Sequence, residues 1–432
     1  MDCLIQHHRS PAVPYGVTHV SLQHPVFGEF MRHYQSDISL ERRDNEFLGN
    51  FCTSMSKHLG DEQTRTKLGN SLLSGYLGKA VGRSQAVSSL TDGSIVWNYV
   101  SETGYVDGGL PPTDIKMAVL NIEYKNEIGS SSGDPSMQNI GYFVQWLKEC
   151  GLDGAHSLRL PMLLVSIVGS LIAVYGAIAY GKMIHCDPLT PYLHLLPIVD
   201  DNHSWRNLGR AMQALKLSIP KLEQYYYDLL VKNKRIPYSI PAHPFPYIQS
   251  VKMDTDETIQ FTYLEQLGRR VFSGVIPATE LKIVLKFVQS VQDIDSLTRG
   301  QRVLASIGSA PELIAFVQLP PDWTLFVSEF VEDTSHYEPT PERNKNLIAA
   351  LNCLHELKIV HGDVRANNVL VVPRSPRVIF VDFEFCGLDG IGRYPDRLNH
   401  TDITWPDGAT DGAPLRVHHD IYFANLLMGV RP

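Results

Sequence analysis

The sequence lacks the features of a disulfide-stabilised protein and of one that coats nucleic acid. Its 432 residues contain 6 cysteines, with no Cys-x-x-Cys pair and no dense spacing of the kind that forms a disulfide framework or a zinc site. Basic residues are outnumbered, since 38 Lys and Arg stand against 46 Asp and Glu, for a formal net charge of −8. This balance excludes binding to nucleic acid or anionic membranes through bulk charge, so any nucleic-acid chemistry must be local.

Signals for export and for membrane insertion are also missing or weak. The first twenty residues contain no continuous apolar core, so no secretory signal is predicted, and we expect a cytoplasmic or nuclear protein. One uncharged stretch, residues 160–180, reaches the roughly 20 residues that a membrane helix needs. Gly169-Ser170 interrupts it between two apolar runs, which favours two buried strands over the alternative of a membrane helix. No membrane partner is expected.

The length predicts more than one domain. With 44% hydrophobic and 19% charged residues, the chain has apolar material for two or three cores of roughly 100–200 residues each. A helix predicted over residues 205–232 is followed by prolines at 237, 241, 244 and 246, which mark the boundary. We predict an N-terminal extension over 1–40, a first domain over 41–204, a helical and proline-rich connector over 205–246, and a second domain over 247–432 divided near residue 333.

The most informative stretch lies in the second domain. The segment HGDVRANN over residues 361–368 is followed by Asp382-Phe-Glu384 at the end of an apolar strand. Phosphoryl transfer needs a carboxylate near the acceptor hydroxyl, an Asn and a second Asp that hold Mg²⁺ against the phosphates, and a basic residue that offsets the transferred charge. Asp363, Asn368, Asp382 and Arg365 occur in the order that suits these four roles.

This order resembles the catalytic core of protein-kinase-like enzymes. The resemblance implies ATP with Mg²⁺, or Mn²⁺ in its place, as cofactors, with Asp363 as base or acceptor-orienting group and Asn368 and Asp382 on the metal. It also implies that Lys286, on a predicted strand, and the loop at Gly268 bind the phosphates. Only fifty residues follow Asp382, so the resemblance implies a bilobal fold with a truncated second lobe, over 334–432, behind a first lobe over 247–333.

The second domain also departs from the kinase pattern. Arg365 stands where lysine is usual, and Arg270 stands where a second glycine of the loop is expected. The helix predicted over 293–305 offers no Glu to pair with the lysine, and the tripeptide ends in Glu384 instead of Gly. Asp420 resembles the buried carboxylate that supports the catalytic loop. The His-Gly-Asp triplet also occurs in kinases resembling aminoglycoside and choline phosphotransferases, so the phosphate acceptor is either a protein or a small molecule. A pseudokinase, which keeps the fold without turnover, is a further alternative.

A second constellation lies in the first domain. Glu123 and Lys125 are two residues apart on a predicted strand, so their side chains project from the same face. Gln138 and Tyr142 are four apart on the following predicted helix, again on one face. Asp107 lies sixteen residues before Glu123 on a short predicted strand over 105–107.

This arrangement resembles the PD-(D/E)XK restriction-nuclease superfamily in its variant with Gln-x-x-x-Tyr. The resemblance implies that Asp107 and Glu123 hold Mg²⁺, that Lys125 orients or polarises the attacking water at a phosphodiester of DNA or RNA, and that Gln138 and Tyr142 steady the lysine. Asp114 is a rival to Asp107 as the first ligand, and a helix acid, with Glu46 as candidate, is not determined. The alternative is a solvated strand end with a simple Glu–Lys ion pair.

Together the two halves resemble fungal and Crinkler-effector-like proteins that join a restriction-nuclease-like module to a kinase-like module. The expected fold is α+β in two domains, a restriction-endonuclease-like α/β core followed by the truncated kinase-like fold. The resemblance implies an intracellular role in conflict or host manipulation. The alternative from another functional class is a non-catalytic protein in which both folds serve as binding platforms.

Overall fold

The structure, a computed structural model, describes residues 4–7, 18–57, 59–82, 85–86, 89–90, 92–99, 115–127, 134–149, 158–180, 183–196, 202–229, 245–253 and 256–430. The chain divides into two compact units, Met1–Ile248 and Gln249–Pro432. Each unit combines helices with several sheets, which confirms the α+β class. Asp107, Asp114 and the strand predicted over 105–107 lie outside the described residues.

A mixed sheet forms the centre of the first unit. Its described strands run in the order β1-β8-β7-β6-β5-β4, with β9 paired to β7. β5 and β6 are parallel, whereas β4 and β5 are antiparallel. The strands of this unit are β1 (Leu4–His7), β2 (Gln85–Ala86), β3 (Ser89–Leu90), β4 (Gly93–Tyr99), β5 (Ile115–Lys125), β6 (Leu160–Val168), β7 (Leu171–Tyr180), β8 (Met183–Pro188) and β9 (Leu193–His194).

The apolar stretch over 160–180 forms two central strands of this sheet. β6 is buried along its whole length and β7 nearly so, and the chain reverses at Gly169, which has a φ of +56°. Continuous apolar sequence suits strands that are covered on both faces, so the prediction of buried strands is confirmed. No helix in the described part of the chain is long and apolar enough to cross a membrane.

Helices cover this sheet, and α1, α2 and most of α6 come from segments predicted to lie outside the first domain. α2 falls in the expected N-terminal extension and α6 in the expected connector, yet both bury apolar side chains, such as Phe27 and Leu215, in the core of this unit. Burial of amphipathic faces makes both helices integral to the unit. The helices are α1 (Val20–Gln23), α2 (Pro25–Gln35), α3 (Arg42–Met55), α4 (Glu62–Leu77), α5 (Pro135–Glu149) and α6 (Asn202–Tyr227).

The second unit begins with an antiparallel sheet whose strands run in the order β12-β13-β14-β16-β15. The segment over 258–268 is divided at Phe261, which is buried, so that β11 pairs with β10 and β12 pairs with β13. The strands are β10 (Ser250–Lys252), β11 (Thr258–Gln260), β12 (Thr262–Gly268), β13 (Val271–Ile276), β14 (Leu281–Gln289), β15 (Leu313–Leu319) and β16 (Trp323–Glu329).

The rest of the second unit combines helices with short strands and long irregular segments. α8 begins after Thr340, whose hydroxyl accepts a hydrogen bond from the Arg343 amide, as is typical of a threonine before the first turn of a helix. The helices are α7 (Ile294–Ser306), α8 (Pro341–Glu356) and α9 (Val417–Leu427). The short strands are β17 (Ser335–His336), β18 (Ile359–Val360), β19 (Val369–Val371), β20 (Val378–Phe380) and β21 (Gly387–Leu388).

Candidate active sites

The loop between β18 and β19 brings three predicted residues of the second unit into direct contact. The Asn368 side-chain amide donates to the Asp363 carboxylate over 2.7 Å and to the Asp363 carbonyl over 3.0 Å. The Arg365 guanidinium pairs with both carboxylate oxygens of Asp363, one of them at 2.7 Å. Asp363 and Asn368 are almost fully buried, so these bonds hold a defined geometry.

Asp420, at the start of α9, supports this loop from below. Its carboxylate is completely buried and accepts hydrogen bonds from the backbone amides of His361 and Gly362, each over 2.8 Å. His355 Nε2 lies 3.0 Å from the same carboxylate. Because each carboxylate oxygen of Asp420 accepts a hydrogen bond from one of the two amides, the orientation of the peptide planes before Asp363 is fixed. This is the supporting position that the sequence predicted for Asp420.

The predicted phosphate-binding lysine meets the second predicted metal ligand. Lys286, in the middle of β14, forms an ion pair with Asp382, which follows β20 in a left-handed conformation with φ +63°. Burial opposes the charge on Lys286, but Asp382 and Glu384 outweigh it and raise the lysine pKa above its ordinary value. Burial likewise opposes charge on Asp382, and Lys286 overcomes it and lowers the carboxyl pKa. Both groups are therefore charged at neutral pH.

Backbone pairing joins the two parts of the site. β19 and β20 are antiparallel, and the Val381 amide donates to the Asn368 carbonyl over 2.9 Å, immediately before Asp382. The ring of His361 is buried and lies 4.9 Å from that of Phe383, centroid to centroid. Burial lowers the pKa of His361, so its ring is neutral and serves as packing beneath the site. Lys286, Asp363, Asn368 and Asp382 thus belong to one connected region.

The loop at Gly268 differs from the expected phosphate-binding loop. β12 and β13 are joined by a tight turn at residues 269–270, and a Cβ on Gly268 would meet only Val271, at 3.7 Å. Glycine is not required there by close packing. The side chain of Arg270 instead reaches the site, with its guanidinium 4.0 Å from Glu384. The turn therefore contributes a cation where the resemblance implied backbone amides.

In the first unit, the structure brings together Glu123 and Lys125 near the end of β5. Their side chains are buried and form an ion pair of 2.8 Å. On α5, the Gln138 amide donates to the Tyr142 hydroxyl over 3.0 Å. Burial raises the pKa of Tyr142, and the charges of Glu123 and Lys125 also act on it, so these two helix residues lie near the Glu123–Lys125 pair.

Two further carboxylates surround this pair, and the sequence did not predict either. The β4–β5 register places Gly93 opposite Ile122, so Asp92 lies beside Glu123, and its carboxylate accepts a hydrogen bond from the Tyr124 amide over 3.0 Å. Glu62, the first residue of α4, lies 3.6 Å from Lys125. The sequence does place Asp92 directly before an apolar strand, which marks it as a candidate. The register that brings it beside Glu123 could not be read from the sequence.

The helix acid suggested by the sequence lies elsewhere. Glu46 forms an exposed ion pair with Arg42, one turn away on α3, at 2.7 Å. Glu62 on α4 is instead the helix carboxylate that approaches Lys125. The three carboxylates of Glu62, Asp92 and Glu123 with Lys125 are called the β5 cluster below.

The β5 cluster has more negative than positive charge. Burial raises the pKa of Glu123 to about 7, and the Asp92 carboxylate adds to the effect. Burial opposes charge on Lys125, but Glu123 outweighs it and raises the lysine pKa. One oxygen of Glu123 is buried without a hydrogen-bond partner. In the described part of the chain no group of three or more acidic, histidine or cysteine side chains is arranged so that it could hold a metal ion.

No protein-family model and no curated protein matches the sequence. Among solved structures, the PK-1 kinase of Cydia pomonella granulovirus is similar over 39% of this chain and 67% of its own, at 17% identity and a TM-score of 0.34. The BubR1 kinase domain is similar over 41% of this chain and 63% of its own, at 14% identity and a TM-score of 0.31. This chain therefore spans about two thirds of the length of each kinase.

Proposed function

We propose that the second unit is a Mg²⁺-dependent phosphotransferase with a nucleotide such as ATP as donor. The observation that carries this proposal is the connected region in which Lys286 pairs with Asp382 while Asn368 bonds Asp363. A lysine beside a metal-binding carboxylate is the arrangement that phosphoryl transfer uses to neutralise charge on the phosphates. The resemblance of these motifs to protein-kinase-like enzymes supports the same reaction.

The residues fit a metal and a nucleotide as follows. The amide nitrogen of Asn368 is committed to Asp363, which leaves its oxygen as the ligand atom for a cation, and Asp382 supplies a carboxylate. Oxygen atoms of these two kinds are what Mg²⁺ prefers. When bound, the metal would neutralise phosphate charge. Lys286, already charged and directed at Asp382, would contact the same phosphates.

Asp363 is the group that would orient an acceptor hydroxyl and accept its proton. Both of its oxygens are paired with Arg365, so the guanidinium must release one oxygen before a hydroxyl can approach. The released Arg365 would then be close enough to face the transferred phosphoryl group. A protein and a small-molecule acceptor remain the two alternatives for this position.

Matched lysine variants test the proposal. Purified full-length protein is titrated with ATP and Mg²⁺ in a thermal-shift assay, and transfer of the terminal phosphate of labelled ATP is followed to the protein itself and to added protein and small-molecule acceptors. Lys286→Ala is expected to remove phosphate transfer and to reduce, without abolishing, the nucleotide-induced thermal shift. Lys282→Ala, which breaks an exposed ion pair with Glu332 on the same strand, is expected to leave them intact. An absence of nucleotide binding in the parent protein contradicts the proposal.

We propose a second function, metal-dependent phosphodiester cleavage, for the first unit. The observation that favours it is the β5 cluster, where three carboxylates outnumber one lysine and an oxygen of Glu123 lacks a hydrogen-bond partner. A divalent cation would satisfy that oxygen, with Asp92 or Glu62 turned toward it as a further ligand. Lys125 would then be free to orient a water molecule, and DNA and RNA are both candidate substrates.

Three glutamate variants provide the test of the nuclease proposal. The full-length protein is incubated with Mg²⁺ or Mn²⁺ and with double-stranded DNA, single-stranded DNA or RNA. Glu123→Gln and Glu62→Gln are expected to reduce cleavage at least tenfold, whereas Glu46→Gln, at an exposed position on α3, leaves it unchanged. If the parent protein cleaves none of these substrates, or if Glu123→Gln cleaves as fast as the parent, the first unit is a binding module, in line with the non-catalytic alternative.

A further inference from the structure

The proposed reaction changes the ion pairing of the half-buried Lys286 ammonium. Its side chain is 22% exposed and pairs chiefly with Asp382. If Asp382 binds a metal ion, its charge is shared with that ion, and it no longer holds the ammonium by itself. A second carboxylate partner is then needed to keep the lysine in place and directed at the phosphates.

The helix that follows β14 does not supply this partner. In protein kinases a glutamate on that helix pairs with the lysine. Here α7 contains a single acidic residue, Asp295, which lies exposed in the first turn. The sequence of α7 therefore leaves the usual position without a carboxylate.

Glu384 is placed where a second partner is required. Its carboxylate lies 3.4 Å from the Lys286 ammonium through one oxygen and 4.0 Å from the Arg270 guanidinium through the other. It belongs to a short 3₁₀ turn over Phe383–Phe385 that begins directly after Asp382 and is anchored by the buried ring of Phe383. The two carboxylates that face Lys286 are thus separated by one residue and held by the same turn.

On the basis of the proposed phosphotransferase function, we propose that Glu384 is a positioning residue that takes over the role of the missing helix glutamate. When Asp382 engages the metal, Glu384 keeps the Lys286 ammonium paired and directed at the phosphates. Its second oxygen holds Arg270, so that both cations are presented on one side of the nucleotide site. Glycine is the usual residue at this position of the motif, and its replacement by glutamate compensates for the change in α7.

A double-mutant cycle on nucleotide binding tests the role of Glu384. The affinity for a fluorescent ATP analogue in saturating Mg²⁺ is measured for the full-length parent, Glu384→Gln, Lys286→Met and the double variant, with far-UV circular dichroism to confirm folding. Glu384→Gln is expected to weaken binding about tenfold in the parent and to have no effect once Lys286 is replaced, because the carboxylate acts through the lysine. Glu384→Asp is expected to recover part of the loss.

Glu332→Gln is the matched control. Glu332 forms an exposed ion pair with Lys282, which lies on β14 together with Lys286, so this variant should leave the nucleotide affinity unchanged. Binding by Glu384→Gln that equals or exceeds that of the parent overturns the inference, because Glu384 would then only compete with phosphate. A loss that persists in the Lys286→Met background also overturns it, because Glu384 would then act independently of the lysine. Failure of the parent to bind nucleotide instead contradicts the phosphotransferase proposal itself.

Discussion

Replacing Glu123 by glutamine should change how the stability of the first unit depends on pH. The Glu123 carboxyl is 1% exposed, and its pKa rises from an ordinary value of 4.5 to about 7 on folding. Between these two values the unfolded chain loses its proton while the folded chain keeps it, so the unfolded state binds fewer protons and stability falls as pH rises. At about 1.4 kcal/mol per pKa unit, the loss reaches about 3 kcal/mol above pH 7.

Glutamine has the shape of the protonated carboxyl but does not titrate. The free energy of unfolding of Glu123→Gln, compared with the parent, should therefore rise by about 3 kcal/mol between pH 4.5 and pH 8. The variant also loses the ion pair with Lys125, but this pair affects the absolute difference more than its slope, because the lysine pKa is raised and lies outside the pH window.

Hydrogen exchange measures this effect in the intact chain. Peptides covering β5 report the opening free energy of the first unit, and peptides covering β14 serve as an internal reference in the second unit, with both corrected for intrinsic exchange. A difference in opening free energy between variant and parent that stays constant across this pH range would mean that Glu123 ionises normally. The description of the β5 cluster as a buried site with excess negative charge would then be wrong.

Further outcomes are expected at other positions. Asp420→Asn leaves one backbone amide of the loop between β18 and β19 facing a donor and should destabilise the second unit by about 1–3 kcal/mol, seen as a lower thermal midpoint. Gly69→Ala places a Cβ 2.5 Å from the buried ring of Tyr124 and should cost about 1–3 kcal/mol, whereas Gly75→Ala on the same helix meets nothing and should stabilise by up to about 1 kcal/mol. His24, whose burial lowers its pKa from 6.5 to about 3, should make the parent lose about 1.4 kcal/mol per pH unit below pH 6.5, and His24→Asn should flatten that slope in urea titrations.

Elements of the fold that depend on local pattern could be predicted. The strands over 160–180 follow from an uncharged run broken by Gly169, and the start of α8 follows from Thr340 before Pro341. The assignment of α2 and α6 to the first core could not be predicted in this way. Their amphipathic faces were present in the sequence, but the partner that each face covers is a matter of long-range packing.

The same division holds for the candidate sites. The order of Asp363, Arg365 and Asn368 along one short loop predicts their contact, because residues so close in sequence share one loop. The placement of Asp92 beside Glu123 depends on the register between β4 and β5, and a shift of a single residue would turn its side chain to the other face.

The sequence by itself determined which chemical groups this protein possesses and their order: two sets of carboxylates, each with its lysine, and an α7 without a glutamate. Only the tertiary structure decided which carboxylates face which lysine. It paired Lys286 with Glu384 as well as Asp382, and Lys125 with Glu62 as well as Glu123. The physical reason is that attraction between charges depends on distance and burial, and both are set by strand register and by packing between segments far apart in the chain.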